Sequence, residues 1–382
     1  MRTRTLWVIV SVLALVLAAC GDETADTTEA ATETTGAATE TTEAATETTE
    51  AATETTEGGA ALEPAGSLTV GLAAIPPVFP AAMHIYAAEA LGLFESFGIE
   101  VTLRPFENGG DSARAAASGE IQVGAVPTNV GVGLVAGGGE MLGITGISQP
   151  TWHVASTNPD NTACENLAGQ TVAVDGVGQT RYGVLGIILE SCDLTYDDVE
   201  TVFIHAAPVI EGLVSGQIDN AVLHLYEYAT VQTLLEAEGG DTEVHQIIGI
   251  TDIRPDQHYL YYGASPDALA NQREALVRFV AADIAAREAM ADPANLDLLA
   301  ELGPEMGLEP DVARTAIELY LGLDNYWATD SADMAQEKVD YTIQGEIDAG
   351  NVEEADAPAY ENMIDVSIWE EARALVDSMG GG

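Results

Sequence analysis

The sequence predicts an α/β protein whose sheets are mostly parallel and flanked by helices. Three observations lead there: segments of strand and helix period alternate from residue 67 onward, one helix-turn-strand unit occurs twice, and the last third of the chain is almost wholly helical. Residues 67–72 alternate as a strand, which a polar break holding Pro76, Pro77 and Pro80 ends. Apolar residues then fall at helical spacing over 83–93, alternate as a second strand over 99–103, return to helical spacing over 111–117 and form a third strand over 121–126. The order restarts with a strand at 171–174, a helix at 182–191, a strand at 199–204, a helix at 209–214 and a strand at 221–225. Ala117-Ser118-Gly119-Glu120-Ile121 and Val214-Ser215-Gly216-Gln217-Ile218 each read as a helix end, a glycine turn and the start of a buried strand. Their 97-residue offset points to one α/β unit used twice. Beyond Pro266, helices are expected at 269–289, 295–302, 310–321 and 332–347. With few strands left to place, this tail is expected to return over the first lobe. The second lobe is then an insertion, entered and left by crossings near residues 155 and 262.

The chain opens with Arg2 and Arg4, an apolar run over 6–17 and Leu17-Ala18-Ala19-Cys20. This is a charged region, a core too short to span a bilayer and small residues before a cleavage site, the pattern of a secretory signal peptide over 1–20. A cysteine directly after Leu-Ala-Ala resembles a bacterial lipobox, which implies lipidation of Cys20 and a protein held on the outer face of the cell membrane, periplasmic or cell-surface. An ordinary signal peptide that happens to contain a cysteine is the alternative. Residues 21–66 are dominated by Thr, Glu and Ala, with a seven-residue repeat over 37–57. Alanine is the only apolar residue in each repeat, so no coiled-coil seam can be buried. A disordered tether is expected, with an r.m.s. reach of at least roughly 35 Å.

The net charge is −50. Setting aside the tether's twelve acids and the two arginines of the signal peptide leaves 50 acidic against 10 basic residues, about −40 over residues 67–382. Such a field repels nucleic acid and anionic headgroups, which excludes a nucleic-acid or polybasic membrane role. With Cys20 carrying lipid, Cys164 and Cys192 remain as an even pair in an oxidising compartment. A disulfide is expected, two buried thiols being the alternative.

Tyr86-Ala87-Ala88-Glu89-Ala90-Leu91-Gly92-Leu93-Phe94-Glu95-Ser96-Phe97-Gly98-Ile99-Glu100-Val101 resembles the opening helix and second strand of the periplasmic solute-binding proteins that serve nitrate, sulfonate, taurine and thiamine-pyrimidine ABC transporters. The likeness continues through Ser118-Gly119-Glu120-Ile121, Leu167-Ala168-Gly169-Gln170-Thr171-Val172-Ala173-Val174 and Ser215-Gly216-Gln217-Ile218-Asp219, and covers about 67–350. It implies a two-lobed periplasmic-binding-protein type II fold, each lobe a mixed, mostly parallel sheet flanked by helices, closing on a solute in the cleft between lobes. The implied division is lobe 1 over 67–155, lobe 2 over 156–262 and a helical return to lobe 1 over 263–382. The implied partners are the permease subunits of an ABC importer and a small organic solute, either a sulfonate-, carboxylate- or nitrate-like anion or a pyrimidine-like heterocycle. A monomer without cofactor is expected. A two-lobed sensor lipoprotein and a pyrimidine-synthesising enzyme of the same fold are the alternatives.

Physics places the ligand in the same region, because open α/β sheets bind beyond the carboxyl ends of their strands, where helix N-termini present unpaired N–H groups. The expected lining comes from the segments just beyond the strands: Phe79, His84, Asn108, Thr128 and Asn129 in lobe 1, Trp152 near the crossing, and Gly178, Gln179, Thr180, Arg181, Tyr182, His224 and Tyr226 in lobe 2. Gln179 and Thr180 could donate to an anion and Arg181 could add charge, with the body of the solute against Trp152 and Tyr182. The run Gly131-Val132-Gly133-Leu134-Val135-Ala136 only superficially matches a dinucleotide motif, and close packing of small residues accounts for it better. The six histidines form no ligand-like doublet, no Gly-x-Ser-x-Gly occurs and neither later cysteine has a nucleophile signature, so neither a metal site nor an enzyme is expected.

Overall fold

A computed structural model describes residues 62–380 except 148, 178–179, 205 and 331–333; the expected signal peptide, Cys20 and all but the end of the tether lie outside the described residues. The chain begins with β1 (Gly66–Ala73), α1 (Phe79–Ala90), the one-turn α2 (Leu93–Ser96), β2 (Ile99–Phe106), α3 (Gly109–Ala117), β3 (Val123–Pro127), α4 (Thr128–Ala136) and β4 (Leu142–Ile147). It continues with β5 (Trp152–Ser156), β6 (Thr171–Val174), α5 (Thr180–Ser191), β7 (Glu200–Phe203), α6 (Ala206–Val214), β8 (Asn220–His224), α7 (Leu225–Glu238), β9 (His245–Gly249) and the one-turn α8 (Ile250–Ile253). After β10 (Leu260–Ala264) the named elements of the described residues are helices: α9 (Pro266–Asn271), α10 (Arg273–Met290), α11 (Leu296–Ala300), α12 (Pro310–Leu321), α13 (Gln336–Asp348) and α14 (Val366–Gly380).

The strands form two sheets of five, ordered β2-β1-β3-β10-β4 and β7-β6-β8-β5-β9. In each, the first two pairings are parallel and the last two antiparallel, so four of five strands share one direction and only β10 and β5 are reversed. The sheets therefore have one topology. The repeated turn is superposable bond by bond: Gly119 N–H donates to Ala116 O and Glu120 N–H to Ala115 O, while Gly216 N–H donates to Leu213 O and Gln217 N–H to Gly212 O. Gly119 and Gly216 both take positive φ, 75° and 69°, which a Cβ would oppose.

Alternation along the strands sends successive side chains to opposite faces, and the second sheet shows it plainly. Val154, Val172, Val174 and Val222 join one core, with Leu185, Ile188 and Leu189 of α5, while Ala155, Ala173, Ala221 and Leu223 join the other, with Val209 and Leu213 of α6 and Val231 of α7. The larger core belongs to the first sheet and the helical tail. Gly131 there lies so close to Tyr261 that a Cβ would overlap the phenol, in keeping with close packing as the reason for that glycine-rich run.

Cys164 and Cys192 form a disulfide with Cα atoms 6.0 Å apart, tying the one-turn 3-10 helix Cys164–Leu167 to the residue after α5. The chain crosses between sheets twice, over 148–151 and over 254–259. Both crossings are short.

Candidate functional site

In the first sheet the ends of β1, β2, β3 and β4 and the start of β10 share one edge; in the second, the ends of β6, β7, β8 and β9 share an edge with the start of β5. Both crossings join these two edges. Rings fill the space between them. Phe79, at the start of α1, lies 6.2 Å from Tyr226 of α7 and 5.9 Å from Tyr320 of α12, centroid to centroid. Trp152 and His224, opposite each other on β5 and β8, stack at 3.4 Å, and His224 lies 5.3 Å from Tyr226 and 6.4 Å from Tyr259 of the second crossing. Thr151 of the first crossing hydrogen-bonds the Tyr320 hydroxyl at 3.0 Å. Tyr326 and Trp327 extend the cluster, 4.8 and 5.4 Å from Tyr320, beside a cavity of about 360 Å³.

Of the residues expected to line the site, Phe79, Trp152, His224 and Tyr226 lie together here. The remaining predicted residues have other surroundings. His84 points away from the edge and is buried against Asp283 of α10. Asp283 also accepts from Thr145 at 2.7 Å and from Arg287 at 3.0 Å, and Arg287 reaches Gly146 O and Ala328 O, so this network fastens α1, β4, α10 and the tail. Asn108 accepts from Asp111 N–H at 2.9 Å and serves as the N-cap of α3. The Thr128 hydroxyl is taken by His258 Nδ1 at 2.6 Å, and Asn129 is exposed on the first turn of α4. Gly178 and Gln179 lie outside the described residues, and Thr180 is exposed at the start of α5. Tyr182 stacks on Tyr196 at 4.2 Å.

Arg181 departs furthest from expectation. Its side chain is buried, with Nη2 on Glu227 Oε1 at 2.5 Å, Nη1 on Val222 O at 2.6 Å and the guanidinium carbon 5.2 Å from the Trp152 ring centroid. A charge removed from water must be paired, and here the partner is internal. Burial acts against the Arg181 charge, but Glu227 beside it outweighs that and raises its pKa. The other oxygen of Glu227 accepts the backbone N–H of His224 at 2.8 Å.

Burial, reinforced by Arg181 and His153, holds His224 well below its ordinary pKa, so it is neutral at pH 7. Its Nδ1 is buried without a hydrogen-bond partner. His153, next on β5, is lowered to about 4, chiefly by burial. Tyr259, Tyr320, Tyr326 and Trp327 went unread in the sequence. Three aromatics within eight residues, 320–327, were the available signal, masked by their place in a helical tail expected only to cover the first lobe. Among the described residues no group of three or more His, Cys, Asp or Glu could hold a metal ion, and no helix is long and apolar enough to cross a membrane.

Solved structures share this architecture at low identity, which speaks to the fold. The ligand-binding component of an ABC-type import system from Staphylococcus aureus, with zinc bound, matches with a TM-score of 0.60 at 13% identity, over 80% of this chain and 99% of its own. The nitrate-binding protein NrtA from Synechocystis PCC 6803 matches with 0.60 at 13%, over 81% and 89%. The aliphatic sulphonate binding protein SsuA from Escherichia coli matches with 0.54 at 19%, over 78% and 92%. The fold is that of the periplasmic binding proteins. No curated protein matches the sequence. The family model described as NMT1/THI5 like matches residues 80–296, more than half of the chain and every strand but β1. By that match the chain belongs to the NMT1/THI5 like family.

Proposed function

We propose that the protein is the extracytoplasmic solute-binding component of an ABC importer, not an enzyme. The two sheets are the cores of two lobes, the crossings 148–151 and 254–259 are their hinges, and a small solute is held where the edges meet. One observation carries this reading: two sheets of the same strand order and directions, which the chain links by two short crossings at one edge, face a shared cluster of aromatic rings. Tyr and Trp offer flat faces and a donor each, which suits a planar or short organic solute. Structural relatives named for ABC-type import, nitrate binding and sulphonate binding support the class of function. Phe79, Trp152, His224 and Tyr226 contact the solute in this reading, with Thr180 at the rim.

The test is a thermal-shift screen of sulfonates, nitrate, carboxylates, pyrimidines and flavins, since a ligand at 100 times its Kd stabilises by about 2.7 kcal/mol. Trp152→Ala should then weaken the solute found by roughly 30-fold, the effect of removing a central aromatic contact, and Thr180→Ala less. Unchanged affinity in both variants would show the site to be elsewhere.

The same reading makes the mature protein a lipid-anchored monomer at the outer face of the membrane, released by cleavage before Cys20 and acylated there. Cys20→Ala should move the protein from the membrane fraction to the soluble exported fraction or leave it unprocessed. Equal membrane retention would refute the anchor.

A further inference from the structure

An anion in a fold of this kind would be held by helix N-termini and by a free cation at the sheet edge. At the edge of the second sheet three helix starts already carry the chain's own carboxylates, whereas α1 and α4 of the first sheet carry none. Asp175, following β6, accepts Arg181 N–H with Oδ2 at 3.0 Å and Tyr182 N–H with Oδ1 at 3.1 Å, so the first turn of α5 carries a negative charge of its own. Glu227 does the same for α7 through His224 N–H and neutralises Arg181. Asp252 accepts Gly249 N–H at 2.8 Å at the start of α8. These three carboxylates stand at the edge of the second sheet that faces the aromatic cluster, and the one histidine in the cluster is neutral.

From this we infer that the site takes an uncharged or cationic organic solute and rejects anions, sulfonate and nitrate included. The inference rests on the proposed solute-binding role and specifies the ligand's charge. An incoming anion would meet Asp175 and Asp252 without gaining Arg181, whose guanidinium could be freed only by leaving Glu227 buried and unpaired. A cation or a neutral N–H or O–H group finds the half-buried rings of Trp152 and Tyr226, with Phe79 packed beneath them. It also finds an unpartnered ring nitrogen, Nδ1 of His224, whose side chain is 4% exposed. Glu227, 3% exposed, pairs with Arg181, and Asp175 and Asp252, which form no ion pair among the described contacts, leave this edge with more carboxylates than cations.

Matched triplets decide it: an ammonium, an alcohol and a sulfonate built on the same benzyl, pyrimidinylmethyl and butyl bodies, titrated into the full exported protein by calorimetry. About 0.5 M NaCl shortens the screening length to roughly 4 Å and removes attraction by the distant acidic surface. The expected result is one-to-one binding of the ammonium or the alcohol at least tenfold tighter than the sulfonate of the same body, weakened roughly 30-fold in Trp152→Ala. Asp175→Asn should raise sulfonate affinity several-fold with the alcohol unchanged; if that variant folds poorly, Asp252→Asn makes the same comparison. Sulfonate or nitrate binding as tight as the ammonium would overturn the charge assignment and leave the solute-binding role standing. Failure of every body in all three charge states would remove both.

Discussion

A guanidinium taken out of water needs a partner at hydrogen-bond distance, and for Arg181 that partner is 46 residues away in the sequence. Its position, at the start of a helix that follows a strand, made it the expected cation for a ligand. Nothing in the local sequence distinguishes an arginine that faces a solute from one that turns inward to Glu227. The same holds for His84, whose spacing in α1 suits the edge but whose partners, Asp283 and Arg287, come from α10, some 200 residues later. Residues whose role depends on a flat face were easier to read. Trp152, His224, Tyr226 and Phe79 all follow or open a strand or helix at the shared edge, and aromatic rings so placed have few other neighbours than one another.

Local period carries the elements well for the strands that pair in parallel and are joined by helices, because each such strand is a short apolar run between turns. β1, β2, β3, β6, β7 and β8 fall within two residues of their expected starts, and β2 alone runs more than two residues past its expected end. The reversed strands β10 and β5 and the strands β4 and β9 beyond them were not legible: they are brief, interrupted by glycine or polar residues, and in the case of β10 paired with residues up to 141 positions away. Pro80 belongs to the expected break, yet α1 begins at Phe79, since proline fits the first turn where its missing N–H costs nothing. The expected helix 269–289 is divided because Ser265 caps α9 and Gln272, at φ −130°, interrupts it before α10. The disulfide acts at this scale, fixing the 3-10 turn Cys164–Leu167 against the end of α5 across a separation of 28 residues. Closing such a loop restricts the unfolded chain by about 3 to 4 kcal/mol in the loop-entropy estimate. Cys164→Ala with Cys192→Ser should therefore melt well below the parent, by a margin that disappears when the parent is measured reduced. Equal melting of oxidised and reduced parent would show that the bond adds nothing.

At the scale of the molecule, acid acts on both sheets at once. His84 packs beneath the first sheet, His153 and His224 lie on the second, and burial lowers all three below the ordinary histidine pKa, Asp283 opposing this at His84 and Arg181 adding to it at His224. A group that is harder to protonate in the folded state than in the unfolded chain contributes stability fully present above its unfolded pKa and lost as pH falls toward its folded value. For His153 that window runs from 6.5 down to about 4, and the loss by pH 4 is about 3 kcal/mol. A second effect runs the other way, because a chain of net charge −50 is relieved of self-repulsion as its surface carboxylates take up protons. The net slope of stability with pH therefore does not isolate the histidines, but a difference between two proteins of equal surface charge does. His153→Gln removes the titrating ring and leaves the surface untouched. Chemical denaturation of parent and variant across pH 7.5 to 4 should give a parent whose stability, relative to the variant, falls by about 3 kcal/mol, with most of the fall below pH 6. Parallel curves across the whole range would mean that His153 is protonated as readily in the folded protein as in the unfolded chain, and the dry sheet edge beside Trp152 would have to be open to water.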